Sequence, residues 1–171
     1  MFTIVMTMLK QSKVYRYSMR VKICGITNLE DAIDAIDAGA DALGFVFYEK
    51  SPRYITPQRA KEIVDLIPPF VERVGLFVNV SADEVNKITA FTKMSLAQIH
   101  FEATQDFYDA LHVKHLKVVR AKSPQDLHRY HDEYHIVDAF VESYGGEGKR
   151  VNPEWFKEVD CSKNHSGRWI K

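Results

Sequence analysis

The chain has 171 residues, 46% of them apolar and 27% charged, with 23 Lys and Arg set against 23 Asp and Glu. This is the composition of a globular chain long enough for one core, and its formal neutrality argues against a nucleic-acid-binding surface. Two cysteines, Cys24 and Cys161, are too few for a disulfide framework and point to a reducing compartment, the cytoplasm.

Residues 1–18 open on an apolar run, Met1 to Leu9, that is far shorter than the ~20 residues of a membrane span. Lys10, Lys13 and Arg16 follow that run, whereas a signal peptide carries its positive charges first. Met19 stands directly before the strand-like Arg20-Val21-Lys22-Ile23-Cys24. Residues 1–18 are therefore read as an extraneous or disordered head, and no membrane association is expected.

From Met19 the pattern alternates. Apolar, β-branched runs at Val21–Ile26, Ala42–Phe47, Arg73–Val78, Leu96–Phe101, Leu116–Arg120 and Ile136–Val141 read as parallel strands covered on both faces. Helix starts lie between them. Thr27-Asn28-Leu29-Glu30 and Ser81-Ala82-Asp83-Glu84 have the spacing of capping boxes. Thr56-Pro57, Ser123-Pro124 and Asn152-Pro153 place a capping residue before a proline. The first helix, Asn28 to Ala38, puts Leu29, Ala32, Ile33 and Ile36 on one face, and Gly39 ends it. Six strand–helix units of this kind wind an open sheet or form a (β/α)8 barrel. No G-x-G-x-x-G follows the first strand, and polar residues fall at the strand ends, as in a barrel: Cys24, Arg53, Asn79, Gln98, His100, Arg120 and Asp138.

Some of these residues carry chemistry. Cys24, beside a capped helix start, suits a thiolate base or nucleophile; the competing reading is a small buried apolar residue. Asp138, flanked by Ile136, Val137, Ala139 and Phe140, must be paired or neutral, and a neutral carboxyl suits a general acid. No obvious partner for it stands nearby in sequence. Gly145-Gly146-Glu147-Gly148 either wraps an anion or is a plain loop. Arg53, in Ser51-Pro52-Arg53-Tyr54, suits the grip of a substrate carboxylate or is a surface arginine. Gln98 and His100 are two apart on one strand and face one side, in a core or a catalytic role. The remaining histidines show no metal-ligand spacing, so no metal site is expected.

Taken together, the motifs resemble those of the phosphoribosylanthranilate isomerases. The resemblance rests on Val21-Lys22-Ile23-Cys24-Gly25-Ile26-Thr27, Gly39-Ala40-Asp41-Ala42-Leu43-Gly44-Phe45-Val46-Phe47, Ser51-Pro52-Arg53-Tyr54-Ile55, Val74-Gly75-Leu76-Phe77-Val78-Asn79, Gln98-Ile99-His100, and Asp138 with Gly145-Gly146-Glu147-Gly148. It implies a cofactor-free cytoplasmic (β/α)8 barrel of tryptophan biosynthesis. Such an enzyme takes a phosphosugar–anthranilate substrate through an Amadori rearrangement. By residue match Cys24 is the general base and Asp138 the general acid, with Arg53 on the anthranilate carboxylate and Gln98, His100, Gly145 and Gly146 among the substrate-binding residues. Two departures stand out: Phe101 replaces a glycine after the Gln-x-His strand, and Glu147 replaces a threonine in the glycine loop.

The third departure is the tail. Past Lys163 the family enters a seventh strand, whereas this chain reads Asn164-His165-Ser166-Gly167-Arg168-Trp169-Ile170-Lys171. Residues 19–163 are therefore read as a partial barrel of about six of eight units, and 164–171 as a non-family tail. One permitted coding of Lys163 to Lys171, with a single A deleted, gives Lys-Ile-Ile-Leu-Ala-Gly-Gly-Leu, so a frameshift in an A-run is the expected cause. A complete member would be a monomer or homodimer, whereas this chain is expected to be impaired and prone to aggregate through open strand edges. The alternative to an isomerase is a non-catalytic remnant or a partner-stabilised fragment. Indole-glycerol-phosphate synthase, another phosphosugar barrel, does not carry these motifs.

Overall fold

The computed structural model describes residues 3–8, 19–130, 135–141, 151–157 and 169–170. In chain order the elements are β1 (Thr3–Met8), β2 (Met19–Cys24), α1 (Leu29–Asp37), β3 (Ala42–Val46), α2 (Pro57–Val64), β4 (Glu72–Phe77), α3 (Ala82–Thr92), β5 (Leu96–Ile99), α4 (Gln105–Asp109), β6 (Lys114–Ala121), β7 (His135–Ala139) and β8 (Trp169–Ile170). Short 3₁₀ helices, Pro124–His128 and Pro153–Lys157, come after β6 and β7. The chain divides into two compact units, Met1–Val5 with Val21–Leu116, and Met6–Arg20 with Lys117–Lys171.

In the first unit β2, β3, β4 and β5 pair in parallel and in sequence order, in the registers Cys24↔Gly44, Gly44↔Val74 and Leu76↔Gln98. Alternate residues of the sheet feed the core. Leu43, Phe45, Phe47, Phe77, Ala97 and Ile99 pack against Ala32 of α1, Ala60, Ile63 and Val64 of α2, and Val85 of α3. The opposite face carries Lys22, Cys24, Gly44, Val74, Gln98 and His100, one register step away along each strand.

Local signals set the helix ends. Asn28, rather than Thr27, caps α1: its Oδ1 accepts from the Asp31 backbone N–H at 2.8 Å. Gly39, at φ +92°, closes the same helix, its N–H donating to the Ile36 carbonyl and that of Ala40 to the Ala35 carbonyl. That hydrogen-bond pair needs a left-handed residue, which glycine supplies without strain. Thr56, Ser81 and Thr104 cap α2, α3 and α4 through side-chain oxygens that accept backbone N–H groups of the first turn.

The second unit is smaller. β6 and β7 pair in parallel, Val119 facing Val137 and Arg120 facing Asp138. Its core gathers Val119, Ala121, Leu127 and Val137, with Tyr130, Val151, Trp155 and Phe156 packed at the edge. The Ser123-Pro124 and Asn152-Pro153 starts lead here to 3₁₀ helices rather than α-helices.

Two segments that the sequence pattern places outside the fold form strands. The head supplies β1, and the tail supplies β8, which pairs in parallel with β7 (His135↔Trp169) and antiparallel with β1 (Thr7↔Ile170). Their β-branched and aromatic residues suit a strand. Among the described residues no helix is long and apolar enough to cross a membrane.

Candidate active site

Cys24 ends β2 as a free thiol and is 4% exposed. The residue across the ladder is Gly44, and the vacancy of its side chain is what seats the thiol. A Cβ there would stand 2.6 Å from Cys24 Sγ and 3.0 Å from Lys22 Nζ. The carbonyl of Gly44 accepts from both Gly25 and Ile26, at 2.9 and 3.0 Å, and so fixes the turn that leaves the strand. Gly25 makes that turn at φ +94°.

Arg53 reaches the same turn from the loop after β3. That loop is tightened by Ser51, whose Oγ accepts from the Arg53 backbone at 3.2 Å, and is drawn back to β3 by the Ile55 N–H on the Val46 carbonyl at 3.1 Å. The guanidinium lies over Gly25, where a Cβ would come within 2.4 Å of Arg53 Cδ, and Nη1 donates to the Cys24 carbonyl at 3.0 Å. Arg53 is thus seated on the residue after the thiol, half-buried, and is not a free surface arginine. Planar guanidinium donors held in one orientation suit a carboxylate.

Gln98 and His100 are both buried on β5 and its end, on the sheet face that carries Cys24. Gln98 Nε2 stands 3.4 Å from His100 Nδ1. Gln98 Oε1 is sealed from solvent and has no hydrogen-bond partner. Phe101, the family's glycine position, turns to the apolar core and meets the Phe107 ring edge-on, with centroids 5.3 Å apart. Asn79, at the end of β4, is exposed and left-handed at φ 51°.

Asp138 belongs to the second unit, on β7. The sequence places this carboxylate among apolar neighbours, with no obvious partner nearby in sequence. Asp138 is half-buried, because strand alternation sends Val137 to the core and Asp138 to the other face, and Arg120 stands directly across the ladder. Arg120 donates to the Val141 carbonyl and lies 4.8 Å over the Phe140 ring. Gly145, Gly146 and Glu147 lie outside the described residues. Among those described, no three His, Cys, Asp or Glu residues are grouped to hold a metal ion.

Sequence reasoning passes over Lys22 and Gly44. A lysine two residues before Cys24, within Val21-Lys22-Ile23-Cys24, is the available signal, since strand alternation puts both on one face. Gly44 gives no signal of its own; its role depends on strand register.

Residues 21–167 match the family model for N-(5'-phosphoribosyl)anthranilate isomerase. The isomerase of Sulfurovum sp. is 59% identical over 145 residues, 85% of this chain and 74% of that protein. The solved phosphoribosylanthranilate isomerase of Thermotoga maritima is 39% identical with a TM-score of 0.70, and covers 75% of this chain. The present chain spans 65% of that one, which a further structure describes as dimeric. A third structure holds an isomerase with reduced 1-(o-carboxyphenylamino)-1-deoxyribulose 5-phosphate; it is 39% identical with a TM-score of 0.66, over 70% of this chain and 64% of that one. The fold class is that of the (β/α)8 barrels, of which the described residues hold six β/α units, β2 to β7 with their helices. On the family match and the identity of its relatives, the chain belongs to the N-(5'-phosphoribosyl)anthranilate isomerases.

Proposed function

We propose that this chain serves tryptophan biosynthesis in the cytoplasm as an isomerase of N-(5-phosphoribosyl)anthranilate, by an Amadori rearrangement. The observation that carries the reading is the thiol buried at a strand end, with Arg53 seated on its carbonyl. Asp138 protonates the furanose ring oxygen, and the C–O bond breaks to give an open-chain iminium. Cys24, as thiolate, takes the proton from sugar C2, and the electron pair flows to the iminium nitrogen to form an enolamine. Tautomerisation gives 1-(2-carboxyphenylamino)-1-deoxyribulose 5-phosphate, with every atom of the substrate retained. Arg53 holds the anthranilate carboxylate, and Gln98 and His100 contribute hydrogen bonds to the substrate. Gly145 and Gly146 supply further backbone donors. Complementation of a tryptophan auxotroph by this chain tests the reading; a folded chain that neither complements nor turns over the substrate is the non-catalytic remnant.

A homodimer is the second part of the proposal. The turn between α2 and β4 carries Leu66 at 65% and Phe70 at 100% exposure, with Pro68 and Pro69 between them. A fully exposed phenylalanine in a stiffened turn is an apolar anchor for a second copy. It is also a starting point for aggregation when that copy is absent.

A further inference from the structure

Lys22 stands in the middle of β2, 8% exposed, and its Nζ is sealed from solvent with no hydrogen-bond partner. A buried ammonium in that state is costly unless an anion lies close to it. Cys24 comes two residues later, on the same face, and the two side chains share the niche over Gly44, where both come within 3.0 Å of the vacant Cβ position. We propose that Lys22 is a positioning residue whose ammonium is the counter-charge of a Cys24 thiolate. The proton leaves Sγ and resides on Nζ: an S–H bond breaks, an N–H bond forms, and the unpartnered lysine tip gains the thiolate as its counter-ion. The proposal rests on Cys24 being the base of the proposed isomerisation, and it explains how a thiol is kept ready to take a carbon-bound proton.

The other groups around the pair do not provide that anion. Across the ladder β3 offers Ala42, Gly44 and Val46, and β4 beyond it Glu72, Val74 and Leu76; of these Glu72 alone is ionisable, and it stands solvent-exposed at the start of β4 while Lys22 Nζ is sealed and without a hydrogen-bond partner. Further along the sheet, β5 contributes Gln98 and His100 to this face. Arg53, on the Cys24 carbonyl, is a second cation, and the Asp41 carboxylate accepts the Val21 backbone N–H at 2.8 Å.

The test uses the full chain and requires no turnover. The ultraviolet absorbance of the thiolate is titrated in the wild type, Lys22→Met and Lys22→Arg, with Cys24→Ser subtracting the contribution of Cys161. An opposite charge this close changes the ionisation ratio about tenfold or more. Lys22→Met is therefore expected to lower the thiolate fraction at neutral pH about tenfold, and Lys22→Arg to retain it. Equal fractions in the wild type and Lys22→Met overturn the proposal. Should circular dichroism show Lys22→Met unfolded, the pair is read from its other member by carbon NMR of Lys22 Cε. In Cys24→Ser, Lys22 is expected to lose its proton at least one pH unit lower than in the wild type, because coupling between two sites is reciprocal. An unchanged Lys22 titration overturns the proposal. A coupled pair in a chain without isomerase activity would leave this inference standing and remove the functional reading.

Discussion

A single missing methyl group makes the candidate site possible. Gly44 lies across from Cys24, and alanine there would bring a Cβ to 2.6 Å from Sγ and 3.1 Å from Cys24 Cα. The thiol and the lysine tip can swing aside, and the backbone of β2 then has to yield by a few tenths of an ångström. Gly44→Ala is therefore expected to cost about 1–3 kcal/mol of stability, read by urea denaturation. Loss of kcat should exceed about tenfold as Sγ is displaced; a variant with wild-type kcat would show that Sγ need not occupy this niche. Cys24 and Arg53 are legible in the sequence because each stands beside a glycine or proline that marks a strand end. Their mutual contact is not, because the hydrogen bond from Nη1 to the Cys24 carbonyl joins residues 29 apart and depends on how the loop after β3 folds back. Asp138 is legible as a polar residue in an apolar strand, but its half-buried setting depends on which face the register selects.

At the level of elements, start signals are more legible than lengths. Ser123-Pro124 marks a true beginning, and Asp126 secures it: its Oδ2 accepts from the backbone N–H groups of Lys122 and Ser123, at 2.9 and 3.0 Å. The helix that begins there is a single 3₁₀ stretch, because Leu127 is its buried residue and a longer apolar face is absent. The Lys122 N–H above all, with that of Ser123, holds the Asp126 carboxyl below its ordinary value of 3.8 against an opposing push from burial. A depressed carboxylate stabilises the fold above its unfolded value, and that stabilisation disappears as pH falls through the folded value. Asp126→Ala is expected to destabilise the second unit by about 1 kcal/mol at neutral pH, with the difference closing below 3.8. Chemical denaturation at several pH values checks this; a gap that persists in acid would mean that Asp126 acts through packing. Asp65 is depressed too, first by its hydrogen bond to Lys61 and then by that to Lys93, but it is exposed and tethers only the surface of α2 and α3.

For the molecule as a whole, the strand–helix alternation points to the fold class, since runs of apolar, β-branched residues spaced by capped helices leave few architectures open. The ends are harder to read. Thr3–Met8 and Trp169–Ile170 are short stretches whose strand character appears only in their pairing with one another and, for Trp169–Ile170, with β7. Association is the property of this scale that can be tested directly. Phe70→Ser is expected to shift sedimentation towards the monomer and raise the soluble fraction; an unchanged distribution would place any self-association elsewhere. The isomerase assignment, with Cys24 as base and Asp138 as acid, is tested most directly by the rate at which the purified chain converts N-(5-phosphoribosyl)anthranilate, followed by the fluorescence change as substrate is consumed. The wild type, Cys24→Ser and Asp138→Asn are compared. Measurable turnover is predicted for the wild type, and a fall of about a hundredfold to ten-thousandfold in kcat for each variant, with the fold retained. Wild-type turnover that survives in either variant would contradict the assignment.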